Sequence, residues 1–363
     1  MVVLVLLAGC PGRPSGDVPS EWDPGVVLGE GVFQRAVWSE VPVGRVSEIR
    51  VRSNPTPAMP ILVVGAEGAA FMTQDGSVTQ TIRFDRRGGR VVAVDLDRDG
   101  QEEFLDRGGG WQPVSIYDSR GVTIWSYGKR NILEALLRDA PNDMAMGDVD
   151  GDGRPEFVVG FNGSGGVHLL DGGGRVLWKQ ADGNVWGVEI RDLDGDGKGE
   201  IIHSSYAGRL TIRNHEGETL RSIRPGVYID QITLCAWPHE DSPMRFLWSR
   251  DKKFYLVNAS GKIDKAFDAP WGVGHNARCA PVRFEKGREL YFAVVALVRA
   301  SWKRSLLYIY DPTGRLIYQE VIPTRMATLT AMPSTTGKGA SLFVGGEGVV
   351  WEYSLSQTDL RAK

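Results

Sequence analysis

Three short stretches of this chain carry carboxylates at a fixed spacing. Asp95, Asp97, Asp99 and Glu103 form the first; Asp148, Asp150, Asp152 and Glu156 the second; Asp192, Asp194, Asp196 and Glu200 the third. In each, the acids occupy positions 1, 3, 5 and 9 of a loop, with Gly100, Gly153 or Gly197 at position 6. Like charges this close repel one another unless a cation sits among them. Hard oxygens at alternating positions, with a glycine for the sharp turn, suit Ca²⁺, which accepts about six to eight oxygen ligands. A main-chain carbonyl at position 7, from Gln101, Arg154 or Lys198, is a natural further ligand. Mg²⁺ suits such a loop less, because it keeps its waters. The expectation is up to three bound Ca²⁺ ions, with Arg98 standing where the other two loops have a glycine. The loops are not EF-hands, which need a glutamate at about position 12; this chain has Asp106, Val159 and His203 there.

The elements that must hold these loops are visible as a repeat. An apolar run, an Asp or Asn, two residues, a Gly and a second apolar run recur as IYDSRGVTIW, LLDGGGRVLW, IRNHEGETLR, LVNASGKIDK and IYDPTGRLIY, with FMTQDGSVTQ as a looser copy. The glycines are Gly76, Gly121, Gly174, Gly217, Gly261 and Gly314. Each copy reads as a β-hairpin, and a further strand pair precedes each turn. Four short strands per unit of roughly 40 to 50 residues is the signature of a β-propeller blade. The fold class expected is therefore all-β, a seven-bladed propeller whose ring is closed by an N-terminal strand within residues 25–41; six or eight blades are the alternatives. Closure of this kind removes exposed sheet edges. A helix-period segment, NILEALLRD at 131–139, reads as an insertion.

GDVDGDGRPEFVVGFNGSGGVHLLD, with its two companions, resembles the calcium loops of FG-GAP or VCBS repeats over residues 91–212. Those repeats build integrin-α-like propellers and many bacterial surface proteins. The resemblance implies that the loops join the first and second strands on one face, and that a partner binds the opposite face. Transferred to this chain, that face collects Trp111, Asn162, Trp186, Tyr206, Tyr228, Asp230, Trp271, His275, Trp302 and Arg325, with Arg250, Asn276, Glu67 and Glu347 beside them. Aromatics mixed with amides and charges suit a protein or glycan contact; Trp186, Tyr228 and Trp271 also read as packing residues between blades. Four other units, at SNPTPAM, PHEDSPM, FEKGREL and STTGKGA, connect the same strands without the acid pattern, so a turn alone does not require it.

No catalytic motif is found. His168, His203, His215, His239 and His275 fall in no metal-ligand spacing, and no GxSxG occurs. The expectation is a binding or scaffold protein, not an enzyme. A polysaccharide-active, lyase-like enzyme on a calcium-bearing propeller is the alternative. Asp118-x-x-Gly121-x-x-x-Trp125 and Asp171-x-x-Gly174-x-x-x-Trp178 are similar to the tryptophan-docking repeat of quinoprotein dehydrogenases and of an envelope assembly scaffold. That gives a second alternative, although these tryptophans also read as inter-blade packing.

The first ten residues, MVVLVLLAGC, are an apolar run ending Leu7-Ala8-Gly9-Cys10 and resemble the lipobox of bacterial lipoproteins, without a preceding Lys or Arg. The resemblance implies a signal peptide over 1–10, lipidation at Cys10 and attachment to a membrane. Residues 11–24, rich in Pro, Gly and Ser, read as a flexible tether. The propeller then spans 25–355, and 356–363 is a polar tail. Pro11, not Asp, follows the cysteine, which favours the outer membrane of the cell envelope. Lys and Arg total 42 against 45 Asp and Glu, with no basic block, so nucleic acid is excluded as a partner. Cys235 and Cys279 lie at matching places in consecutive repeats; two buried thiols are expected, with a disulfide as the alternative.

Overall fold

The computed structural model describes residues 27–29, 31–108, 112–128, 140–205, 208–224, 232–239, 242–273, 275–285, 289–299, 304–325, 328–334 and 339–355. The expected signal peptide, tether and C-terminal tail, and the 131–139 insertion, lie outside these residues. All the described elements with regular hydrogen bonding are strands. No helix among them is long and apolar enough to cross a membrane.

The chain begins with β1 (Val27–Leu28) and a 24-residue β2 (Phe33–Thr56), followed by β3 (Met59–Gly65), β4 (Gly68–Met72) and β5 (Val78–Arg83). Three four-stranded antiparallel sheets come next: β6 (Val91–Val94) to β9 (Thr123–Tyr127), with β7 (Glu103–Asp106) and β8 (Val114–Tyr117) between; β10 (Pro141–Gly147), β11 (Glu156–Phe161), β12 (Gly166–Leu170) and β13 (Val176–Gln180); and β14 (Val188–Arg191), β15 (Glu200–Ser204), β16 (Leu210–Arg213) and β17 (Thr219–Ile223). A fourth contains β18 (Leu234–Cys235), β19 (Arg245–Arg250), β20 (Lys253–Val257) and β21 (Ile263–Asp268). The sheet of β22 (His275–Val282), β23 (Tyr291–Arg299), β24 (Arg304–Tyr310) and β25 (Leu316–Ile322) gains β1 as a fifth strand, Val27 opposite Glu320. Finally β26 (Thr328–Pro333), β27 (Ala340–Gly345) and β28 (Glu347–Leu355) join β2 to β5 in one seven-stranded sheet.

The architecture is an all-β propeller, but five sheets stand as separate blades, not the expected seven. The physical reason is the length of β2. Its Phe33–Arg45 half pairs with β28 and its Val46–Thr56 half with β3, so two groups of strands that the sequence separates are hydrogen-bonded through one continuous strand. The segment 25–41 is likewise not one strand: Val27–Leu28 adds to β25, and the run resumes at Phe33.

Successive strand residues point to opposite faces of a sheet, and the core is built from this alternation. Phe104 packs with Phe71, Phe84 and Tyr117, whereas Leu105 packs with Met144, Phe157 and Val159 of the next sheet. Val158 faces Val188 and Ile201, and Ile202 then faces Phe246 and Trp248. Val294 packs on Phe254 and Phe267, and Val295 on Leu342 and Tyr353; Phe343, Val350, Ile61 and Val63 form another cluster. Every sheet is thereby sandwiched by its neighbours through apolar layers. The repeated turns are uniform. In each, the Oδ1 of Asp118, Asp171, Asn214, Asn258 or Asp311 accepts the backbone N–H two and four residues on, closing the hairpin. Gly174, at φ +81°, lays its turn against the Trp125 ring of the preceding sheet, and Gly217 meets Trp178 in the same way. Both tryptophans are thus packing residues between blades. Trp38 meets Gly76 equivalently, a third copy that the Asp-x-x-Gly spacing did not reveal.

Cys235 and Cys279 form a disulfide with Cα atoms 6.4 Å apart, in place of two buried thiols, because β18 and β22 open neighbouring sheets and bring the pair face to face.

Candidate metal centre

The three acid loops are the connections from β6 to β7, β10 to β11 and β14 to β15, the first-to-second strand link of three consecutive sheets. Their internal hydrogen bonding is nearly superimposable. The first acid accepts the amide of position 6: Gly100 to Asp95 at 3.2 Å, Gly153 to Asp148 at 2.8 Å, Gly197 to Asp192 at 3.0 Å. The second acid accepts the amide of the third, and the third accepts the amide of position 7. The amides of Gln101, Arg154 and Lys198 point inward on those aspartates.

The glutamate at position 9 opens the second strand and reaches back across the loop. Glu103 accepts the Leu96 amide at 2.9 Å, Glu156 that of Val149 at 3.1 Å and Glu200 that of Leu193 at 2.8 Å. All three glutamates are buried. Burial first, and then the neighbouring aspartates, push each glutamate above the usual carboxylate range, with the backbone bond opposing. Each loop therefore gathers negative charge that its own protein groups do not neutralise.

The geometry fits a divalent cation. Carboxylate oxygens of Asp95, Asp97 and Asp99, of Asp148, Asp150 and Glu156, and of Asp192, Asp194 and Glu200 lie within 4.8 Å of one another in each group. Asp95 Oδ1 is in addition a buried oxygen with no hydrogen-bond partner, an arrangement that costs free energy unless something positive takes up the lone pairs. Arg98 adopts φ 63° where Gly151 and Gly195 stand at 81° and 85°, so the first loop keeps the same path despite its side chain. Asp152 and Asp196, and Glu103 in the first loop, are absent from the tight groups, whereas Asp99, whose Oδ1 accepts the position-7 amide as theirs do, belongs to its own.

At the opposite end of the sheets, Asn162 donates to Asn142 Oδ1 at 3.0 Å, and Asn142 donates to the Val185 carbonyl. Trp186 is half-buried, its amide on Ser204 Oγ at 3.2 Å. Trp271 packs at the edge of the Phe254–Phe267 cluster, so both indoles are partly committed to structure. His275 opens β22 opposite Leu297; Arg250 pairs with Asp251 at 2.9 Å, and Glu67 with Arg87 at 3.5 Å. Arg325 and Glu347 lie close enough to bear on Arg45. Trp111, Tyr206, Tyr228, Asp230, Trp302 and Cys10 lie outside the described residues. A cleft of about 390 Å³ lies instead at the acid-loop end, between Asp192 and Gly195 of the third loop and Met244, Asn258 and Ser260 of the next sheet.

Sequence reasoning missed a buried charge network at the inner strands. Asp143 accepts Arg90, Arg107 Nε at 3.1 Å and the Val188 amide at 3.0 Å; Arg107 also donates to Glu189 at 3.2 Å. These contacts hold Asp143 low, against its burial, and raise Arg107. One signal was available: Arg90 and Asp143 each precede the first acid of their loop by the same interval, where an inward-facing strand residue should be apolar. A second network joins Arg213 Nε to His203 Nε2 at 3.1 Å, and Arg213 to Asp182.

No protein-family model matches the chain. Among solved structures it is similar to BBS1N in complex with ARL6DN: the mercury-soaked crystal gives a TM-score of 0.56 at 12% identity over 95% of this chain and 99% of that one. The lead-soaked crystal gives 0.53 at 11% over 88% and 98%. The Neurospora crassa Pan2 WD40 domain gives 0.51 at 13% over 91% and 97%. At such identities the likeness speaks to fold alone, and with the sheet order above it identifies the chain as a β-propeller.

Proposed function

We propose that this chain is a calcium-stabilised binding or scaffold module of a cell envelope, held to a membrane through lipidated Cys10, with its partner on the face opposite the acid loops. The observation that carries the reading is the threefold recurrence of one loop, in which three carboxylates converge and a buried position-9 glutamate, itself one of the three in the second and third loops, accepts a backbone amide across the loop. Ca²⁺ would be held by Asp95, Asp97, Asp99 and Glu103, by Asp148, Asp150, Asp152 and Glu156, and by Asp192, Asp194, Asp196 and Glu200, with carbonyls of Gln101, Arg154 and Lys198. The ion supplies charge neutralisation and cross-links the two strands that flank each loop. The same reading treats the seven-stranded sheet as two blades sharing β2, which makes seven blades and closes the ring by the β2–β28 pairing; the apolar layers between all successive sheets support it. The partner is a protein or a glycan, and BBS1N, seen in complex with ARL6DN, favours a protein. The disulfide suits an oxidising compartment.

Calorimetric titration of the EDTA-treated full chain with CaCl₂ tests the metal. Binding heat with a rise in melting temperature is expected, and the absence of both sinks the assignment. For the partner face, Trp186→Ala/Trp271→Ala should weaken capture of an envelope protein or glycan while the calcium response persists; unchanged capture with lost stability would make both residues purely structural.

A further inference from the structure

Carboxylates and guanidiniums are interleaved along the inner strands, and one guanidinium stands outside the ion pairs. Arg90 and Arg107 share Asp143, and Arg107 also takes Glu189; Asp106 and Glu48 are further carboxylates beside these two arginines. Glu48 accepts the Ala93 amide at 2.6 Å, and Arg50, two residues along β2, donates to the Ala93 carbonyl at 3.1 Å. Arg278, on β22, lies in the same electrostatic neighbourhood as Arg90, Arg107, Asp143 and Glu189. Among the described residues its side chain makes one hydrogen bond, Nη1 to Thr233 Oγ1 at 2.7 Å, and that hydroxyl donates onward to the Ala277 carbonyl at 2.9 Å. No carboxylate among the described residues forms an ion pair with it.

A guanidinium keeps its proton in proteins, so Arg278 stays a cation. Burial, and then repulsion from Arg90 and Arg107, press its pKa down to about 9, with Asp143 and Glu189 opposing. Arg278 is nevertheless not fully buried, so solvent reaches it. Thr233 fixes one nitrogen and leaves the remaining N–H fork free, the geometry that receives a carboxylate through two parallel hydrogen bonds. The residue sits toward the end of β22 away from the β22–β23 connection, as Arg90 sits away from its acid loop.

We propose that Arg278, oriented by Thr233, is a binding site for a carboxylate or similar small oxyanion that enters between the inner strands from the end opposite the acid loops. The site needs no calcium; it rests on the preceding reading only in placing the partner on that face. The anion is either a free small carboxylate or an acidic group carried by a bound protein.

Crystals of the full chain soaked in sodium bromide should show an anomalous peak against the Arg278 guanidinium. In calorimetry at fixed ionic strength, citrate should bind the wild type and lose at least about tenfold in affinity in Arg278→Gln (a threshold of about 1.4 kcal/mol). Thr233→Val, which keeps the charge and removes its orienting hydroxyl, should also weaken citrate, and Arg175→Gln, in the turn between β12 and β13, should not. A peptide ending in a free carboxylate, compared with its amide, separates the sources: binding that needs the free carboxylate identifies a protein-borne acid, and binding of citrate alone identifies a free one. No bromide peak together with equal citrate binding by wild type and Arg278→Gln overturns the proposal. Repeating the titration in EDTA separates it from the calcium reading, because loss of metal leaves this site in place.

Discussion

Asp150→Asn separates a metal clamp from a turn, because its effect should change sign with calcium. Asp150 Oδ1 accepts the Asp152 amide at 3.0 Å, and an asparagine oxygen keeps that bond. Asp148 would be a poorer choice: it receives Gly151 on one oxygen at 2.7 Å and Gly153 on the other at 2.8 Å, so its replacement damages the turn as well. Oxygens of Asp148, Asp150 and Glu156 lie within 4.8 Å of one another. At that separation each pair of full charges repels by about 1 kcal/mol in a water-like dielectric, and salt weakens this further. Without metal, then, the substitution should leave stability unchanged or raise it by up to about 1 kcal/mol. With calcium the same change deletes one charged ligand. A tenfold to hundredfold loss of affinity translates at saturation into about 1.4 to 2.8 kcal/mol of lost stabilisation. In a protein of this size that is a fall of roughly 2 to 4 °C in melting temperature. Thermal melts of wild type and variant in EDTA and in millimolar CaCl₂ give the four values needed. A variant that is destabilised equally in both buffers refutes the metal reasoning, since only a damaged turn behaves that way.

The other expected outcomes follow from packing and buried charge. Asp143→Ala strands Arg90, Arg107 and the Val188 amide, and should cost about 3 to 5 kcal/mol in urea unfolding, the range for breaking a buried pair from one side. Gly174→Ala should cost about 1 to 2 kcal/mol, because φ is +81° and the new Cβ lands 3.1 Å from Trp125; Gly172→Ala, two residues earlier, has only the Pro155 carbonyl at 3.5 Å and should be near neutral in the same melts. Burial lowers the His203 pKa from 6.5 to about 4. The unfolded chain therefore takes up a proton that the folded one refuses, and stability falls as pH drops from about 6.5 toward 4. In His203→Gln, which retains an acceptor for Arg213 Nε, unfolding midpoints across that window should vary less steeply with pH.

The parts of the structure that were legible from sequence are those set by local rules. Alternation places Phe104 and Leu105 on opposite sides of one strand, and Asp118 or Asp171 with a glycine three residues on specifies a turn. These patterns survive any tertiary context that keeps the sheet. The acid loops were legible for the same reason, since their hydrogen bonds run within nine residues. Three features were not. The continuity of β2 through both halves of the seven-stranded sheet depends on partners at opposite ends of the chain, Phe33 with Leu355 and Ile49 with Val63. Trp38 belongs with Trp125 and Trp178 through the glycine it touches, yet it lies on β2 and not on the outer strand of a preceding hairpin. The Arg90–Asp143–Arg107–Glu189 network draws on three sheets, and each member alone reads as an ordinary surface charge.

The two polar zones share the same strands, and this bears on what the propeller can do. Asp143 and Asp148 bracket most of β10, as Glu189 and Asp192 bracket most of β14; one end of each strand runs into an acid loop and the other joins the buried arginines. A strand of four to seven residues pinned at both ends has little freedom to tilt, whereas β18, with two residues, is fixed by the Cys235–Cys279 bridge instead. Rigidity on the inner strands is therefore supplied by charge on one side of the ring and by a covalent bond on the other. Arg278 lies one residue before the bridged cysteine, so the guanidinium without a carboxylate partner is also anchored at its backbone. A preorganised cation of this kind loses little conformational freedom on meeting an anion, which is why Arg278, more than the partly packed Trp186 and Trp271, is where recognition by this protein is best sought.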